Sequence, residues 1–290
     1  MSPPFLPQFS DHQKQHSEQW NNEARGIMAP AASSAAPDIC HALAPILFAS
    51  SFLHLQSRLF ATDIADIYSG KIDEILSSAY AEWQQTLAQN QTDSEREQAL
   101  RHWRNRSHFA IALSELWGHD DITASYQRLS LIAEQAVKGC VEHLLSASPT
   151  GSGWVILALG KLGAGELNFS SDIDLIILHD SKGSQKPASH FIALTRSLSR
   201  LLSRQTSDGF GWRVDLRLRP DMGGGAVSLD IDAAASYYET TARSWERAAF
   251  IRAKPIAGDC ELGKKFLARI APFIWRRVRD FTVIDDLQSW

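Results

Sequence analysis

Apolar and polar positions change their rhythm once along this chain, close to residue 150. Ahead of that point the spacing is helical. TDSEREQALRHWRNRSHFAIALSELWG opens with a capping candidate at Thr92 or Asp93 and acids in its first turn. It sets Leu100, Trp103, Phe109, Leu113 and Leu116 at mixed three-and-four spacing, and Gly118 stops it. DITASYQRLSLIAEQAVKGCVEHLL, with Ile122, Leu129, Ile132, Ala136 and Val141, predicts a second long amphipathic helix. The breaker cluster SASPTGSG (146–153) marks a boundary. Beyond it, WVILALG is an apolar run of strand length and SDIDLIILHD reads as a second strand. HFIALTRSLSRLLSR (190–204) is a helix with Phe191, Leu194, Leu198 and Leu201 on one side. SDG is a turn, FGWRVDLRLRP (210–220) a strictly alternating strand, and DMGGGAVSL a loop before more helix.

This pattern predicts an α+β chain without internal repeats. A helical domain spans 39–147 and a strand-containing domain 148–258, and 259–290 begins a C-terminal helical extension. Residues 1–38, rich in Pro, Ala, Ser and polar side chains, read as a disordered or linker segment. A length of 290 residues suits about two domains, and 44% apolar residues suffice for a sizeable core. The formal net charge of -4 gives no general drive toward nucleic acid or an anionic membrane, so any basic site is local. Cys40, Cys140 and Cys260 are too far apart for a metal pair or a disulfide framework, which fits a reducing cytoplasm. The N-terminus lacks the basic and apolar regions of a signal peptide. The best apolar stretch, 39–53, is too short to span a bilayer and contains Pro45.

The chemistry follows from strand alternation. In SDIDLIIL, Asp172 and Asp174 point one way, and Ile173, Leu175 and Ile177 the other. In FGWRVDLRLRP, Phe210, Trp212, Val214, Leu216 and Leu218 fill one face, and Arg213, Asp215, Arg217 and Arg219 the opposite one. If the strands are neighbours, three carboxylates converge beside arginines. Two carboxylates ~4 Å apart repel by ~4 kcal/mol at an effective dielectric of ~20. Either one acid keeps a proton or a cation neutralises the group. Three acids, with no His or Cys at ligand spacing, suit Mg²⁺ or Mn²⁺. Gly160, Gly163 and Gly165 let backbone N–H groups approach a polyphosphate. The combination points to phosphoryl or nucleotidyl transfer. A P-loop fails because position 155 is Val and position 162 is Leu, and the glycine order does not fit a dinucleotide fingerprint.

Several residues keep two readings. Arg217 and Arg219 are phosphate ligands or ion-pair partners of the acids. Lys161 is a phosphate contact or an exposed lysine, and Ser170 and Ser171 cap the strand or touch phosphate. Trp103 and Trp117 read as core, His179 as the end of a strand, and WER (245–247) as an anchored helix.

GKLGAGELNFSSDIDLI, DGFGWRVDLRLRP, SYYETTARSWERAAFIRAKPIAGD and RRVRDFTVIDDL, in this order, closely resemble the bacterial glutamine synthetase adenylyltransferase/adenylyl-removing enzymes. The resemblance covers about residues 95–290. It implies a DNA polymerase β-like nucleotidyltransferase domain with a small mixed sheet and flanking helices. It also implies a metal-dependent activity on glutamine synthetase in control of nitrogen assimilation. One catalytic half of such enzymes transfers AMP from ATP to a tyrosine. The other removes it with inorganic phosphate, giving ADP, and ELNFSSDIDLI resembles the removing half. By this likeness Asp172 and Asp174 match the metal-binding pair and Asp215 the third acid, while Gly160, Gly163 and Ser171 match the nucleotide-cradling turn. Ala164 departs from a common glycine. A nitrogen-regulatory signalling protein is a further implied partner; nucleic acid and membrane are not. Because that family continues with a second catalytic half, the chain is expected to be a fragment or a truncated protein. The alternative is a non-catalytic module that docks glutamine synthetase or its regulator. A related uridylyltransferase shares the serine–aspartate turn, but VDLRLRP and WER argue against it.

Overall fold

The computed structural model describes residues 17–29, 36–89, 92–146, 153–220, 226–242 and 244–275. The chain divides into two compact units, Met1–Thr86 with Arg101–Leu129 and Leu87–Leu100 with Ser130–Trp290. Among the described residues no helix is long and apolar enough to cross a membrane.

The first unit is helical. Its elements are α1 (Ser17–Met28), α2 (Ala36–Ala49), α3 (Ser51–Leu59), α4 (Ile64–Tyr68), α5 (Ile72–Ala88) and parts of α6 (Asp93–Leu116) and α7 (Ile122–Ser146). Helix α1 lies inside the stretch read as linker. Its polar composition hides an apolar edge: Ala24, Ile27 and Met28 are buried, and Trp20 meets Phe48 of α2 edge-on at 5.8 Å. The rest of that stretch, 1–16 and 30–35, lies outside the described residues. Trp83 and Trp103 stack in the core with centroids 4.3 Å apart, and Trp117 packs edge-on against Tyr68. Arg106 forks onto Asp63 at 2.6 and 2.9 Å and also reaches Glu82 at 2.8 Å.

The second unit is built on a mixed sheet, which among the described residues has five strands. They are β1 (Trp154–Ala158), β2 (Ile173–His179), β3 (Val214–Asp215), β4 (Leu229–Asp230) and β5 (Lys254–Gly258). Strand β1 runs antiparallel to β2 and β5. Short β3 and β4 run parallel to β2, at its beginning and its end respectively. The helices are α8 (Gly160–Ala164), α9 (Ser181–Ser184), α10 (Ala188–Ser203), α11 (Ile231–Thr240), α12 (Ser244–Ala249) and α13 (Cys260–Ile274).

Both faces of the central strands are covered, which explains their unbroken apolar runs. Val155, Leu157, Ile176 and Leu178 join Tyr238 of α11 and Phe266 and Phe273 of α13 in one core cluster. On the opposite face, Trp154 donates to Thr195 of α10, and His179 stacks on Phe191 at 4.9 Å. Asp174 alone in β2 is only partly buried.

The start of α6 and the end of α7 cluster with this sheet rather than with the other helices, so the units do not part at residue 147. Thr92 rather than Asp93 caps α6 in a reciprocal box: its hydroxyl accepts from Glu95 N, and its own N–H donates to Glu95 Oε2 at 2.7 Å. Leu116, an expected core position, stays exposed.

Candidate active site

The site grows from the end of β1. Leu159 N–H donates to the Asp174 carbonyl at 2.9 Å, and the chain then turns into α8. The glycine stretch is therefore one helical turn rather than an open loop, and each glycine answers a different need. Gly160 has φ +52°, and a β-carbon there would stand 2.4 Å from Oδ2 of Asp174. A β-carbon on Gly163 would stand 2.4 Å from the Arg252 carbonyl oxygen and 2.9 Å from that of Ala158, so its reason is packing. Gly165, at φ +75°, ends the turn in the left-handed region with open space around it.

The next residues lead into β2. Leu167 N–H donates to Ser130 Oγ at 2.9 Å, and Ser171 Oγ donates to Asn168 Oδ1 at 2.6 Å. The Ser171 hydroxyl thus closes the turn before the strand, while the Ser170 carbonyl accepts from Arg213 Nη2 at 2.7 Å.

The structure pairs Asp174 with Asp215 and sets Asp172 within electrostatic reach of Asp174. Asp174 lies opposite Asp215 in the parallel β2–β3 register, with Ile173 opposite Val214. Burial first, then Asp215 and Asp172, raise the Asp174 carboxyl above its ordinary range, and Arg217 and Lys161 pull the other way. Asp215 is held below that range, chiefly by hydrogen bonds from Arg217. The Arg217 guanidinium reaches Asp215 through Nε at 2.9 Å and Nη2 at 2.5 Å, and its backbone N–H adds a bond at 2.8 Å.

That last bond corrects the expected strand over 210–220. By accepting the N–H two residues on, Asp215 forms an Asx turn, and β3 ends there. Alternation is lost beyond Asp215, so the predicted face of Arg217 and Arg219 does not exist. Arg219 donates instead to the carbonyls of Leu216 at 2.6 Å and Ala226 at 2.9 Å. Its guanidinium thus links Leu216 to Ala226 and pairs with no acid, although its charge helps to lower the Asp215 carboxyl. Lys161 is exposed on α8.

Arg213, which alternation sets on the polar face without a specific role, is a participant. Arg213 donates through Nε to Asp172 Oδ1, and its guanidinium carbon lies 5.7 Å from the Phe210 ring centroid. The parallel register, which sets Val214 against Ile173, is the signal that could have placed it beside Asp172.

The donor set is carboxylate oxygen, which suits a hard divalent cation. Among the described residues, no three His, Cys, Asp or Glu side chains are grouped closely enough to hold one ion. Arginine guanidiniums engage two of the three acids.

Residues 42–269, which include every residue of this site, match the family model described as Glutamate-ammonia ligase adenylyltransferase. The chain is 42% identical over 219 residues to a Rhizobium meliloti (strain 1021) protein named bifunctional glutamine synthetase adenylyltransferase/adenylyl-removing enzyme, covering 68% of this chain and 22% of that one. A Mesorhizobium japonicum relative of the same name is 36% identical over 267 residues, covering 85% of this chain and 27% of its own. With a Brucella suis biovar 1 relative, also of that name, identity is 35% over 92% of this chain and 29% of the relative. The chain thus spans about a quarter of the length of these curated relatives. It belongs to the glutamate-ammonia ligase adenylyltransferase family, an enzyme family whose model matches a span that contains the acids and glycines described above.

Proposed function

We propose that this chain carries a nucleotidyltransferase site of the DNA polymerase β type that acts on glutamine synthetase. Its reaction is phosphorolysis of an AMP–tyrosine ester. An oxygen of inorganic phosphate attacks the α-phosphorus, the bond from phosphorus to the tyrosine oxygen breaks, and ADP and tyrosine are released. The same groups serve the transfer of AMP from ATP to tyrosine. The observation that carries this reading is Asp174 set opposite Asp215, with Asp172 close enough to raise its carboxyl and Gly160 against its oxygen.

Asp172, Asp174 and Asp215 would hold Mg²⁺ or Mn²⁺. Such an ion supplies Lewis-acid polarisation of the phosphoryl group and stabilises a tyrosinate leaving group. The excess negative charge felt by Asp174 fits a cation there. Asp215, kept ionised by Arg217, positions groups rather than removing a proton. Phosphate at neutral pH already carries a nucleophilic oxygen. Gly160 keeps backbone rather than side chain beside the acids, and exposed Lys161 and Arg217 are the cations placed for phosphate.

The test incubates the full chain with adenylylated glutamine synthetase, Mg²⁺ and phosphate. Phosphate-dependent ADP release, lost in Asp172→Asn, is expected. Capture of glutamine synthetase without turnover would instead mark a docking module.

A further inference from the structure

The two arginines beside the acids differ in how they are held. Arg213 is anchored on three sides: Nε on Asp172 Oδ1, Nη2 on the Ser170 carbonyl, and its guanidinium over Phe210. Its own carbonyl also accepts from Ile173 N–H at 2.9 Å, which locks its backbone to the start of β2. It touches one oxygen of Asp172, Oδ1. Arg217 is held by a single group. Its guanidinium bonds both oxygens of Asp215, and its side chain is 86% exposed. Asp215 keeps the Arg217 backbone N–H whatever the guanidinium does.

We propose that Arg217 is an exchangeable counter-charge: a divalent cation displaces its guanidinium from Asp215, and the freed fork then takes phosphate, while Arg213 stays on Asp172 as a positioning residue. This rests on the nucleotidyltransferase reading above. Arg217 occupies Asp215 oxygens that a cation would need, so the two compete for one carboxylate. The Asp215 side chain is only 12% exposed, but the guanidinium on it lies in solvent at 86%, where screening weakens its hold and a divalent ion can displace it. The guanidinium fork that fits a carboxylate also fits a phosphate, so leaving Asp215 costs it no suitable partner. Arg213 has no such freedom, since moving it would also break its bond to Ser170.

Mn²⁺ binding to the full 290-residue chain, followed by electron paramagnetic resonance, tests this. Arg217→Gln is expected to bind Mn²⁺ roughly fivefold tighter than the wild type, the scale of an exposed ion pair no longer competing. Arg217→Lys falls between them, and Arg213→Gln shows no such tightening. Inorganic phosphate tightens Mn²⁺ binding in the wild type and does so less in Arg217→Gln, because the coupling runs through the displaced guanidinium. Equal or weaker Mn²⁺ binding in Arg217→Gln, or an unchanged phosphate effect, overturns the exchange. Mn²⁺ binding that Asp174→Asn leaves untouched is a different result: it places the metal elsewhere and overturns the nucleotidyltransferase reading with it. Arg217 is exposed, so its variants fold, which circular dichroism checks.

Discussion

Gly160 and Asp174 compete for one small volume: a β-carbon on the glycine would stand 2.4 Å from Oδ2 of the aspartate. The carboxylate is the movable end of a short side chain, so Gly160→Ala displaces it rather than breaking the fold. The positive φ adds about 1–2 kcal/mol of backbone cost. Activity is expected to fall much further than that stability loss implies. Gly163→Ala behaves in the opposite way. Its β-carbon meets the backbone oxygens of Arg252 and Ala158, which cannot swing aside, and roughly 1–3 kcal/mol of overpacking is expected. Urea unfolding and ADP release, measured on both variants, separate the two cases.

Asp174 also sets a pH dependence. Burial, Asp215 and Asp172 raise its carboxyl, so the folded chain binds this proton more readily than the unfolded one. Its contribution therefore favours folding at acid pH and is lost as pH rises through the raised carboxylate range. Asp174→Asn removes that penalty and is expected to raise the melting temperature at neutral pH, with the gain shrinking as pH falls through the range. Asp215, held low by Arg217, has the reverse sign: its contribution is present above the ordinary carboxylate range and is lost as pH falls through its lowered one. Melting curves of Asp174→Asn and Asp215→Asn against pH should therefore diverge in opposite directions.

The two arginines after β3 separate likewise. Arg219→Ala removes the bonds to Leu216 and Ala226 and should loosen that loop, which limited proteolysis detects. Arg217→Ala should raise the phosphate KM and, because its guanidinium holds the Asp215 carboxyl low, should lower the melting temperature at neutral pH, with the loss fading as pH falls through the carboxylate range.

The capping box supplies a purely structural prediction. Thr92→Ala removes the hydroxyl that accepts from Glu95 N, and about 1 kcal/mol of stability is expected to go with it, read by chemical denaturation.

How much of this was legible in the sequence depended on the reach of the interaction. Strands β1 and β2 were legible because they are buried on both faces and spell continuous apolar runs. The shared side of Asp172 and Asp174 followed from alternation alone, and the convergence of Asp215 depended on the two strands being neighbours, as they are. The end of β3 was not legible. VDLRLRP keeps perfect alternation, yet the Asp215 side chain captures the Arg217 N–H, a local bond that periodicity does not register. Nor was the division of the helices legible. The start of α6 and the end of α7 join the second unit through tertiary pairs such as Arg200–Asp93 at 2.6 Å, Arg204–Glu97 at 2.9 Å and Leu167–Ser130, and no breaker residue marks where either helix divides. Helix α1 escaped because three buried apolar residues in a polar stretch leave composition almost unchanged.

The central claim is that Asp174, opposite Asp215, is the hub of a nucleotidyltransferase site. Phosphate-dependent ADP release from adenylylated glutamine synthetase, compared between wild type and a folded Asp174→Asn chain, tests it most directly. The account predicts a loss of turnover of at least about a hundredfold, the scale for removing one charge-stabilising group from an active site. Turnover of Asp174→Asn close to that of the wild type would contradict it.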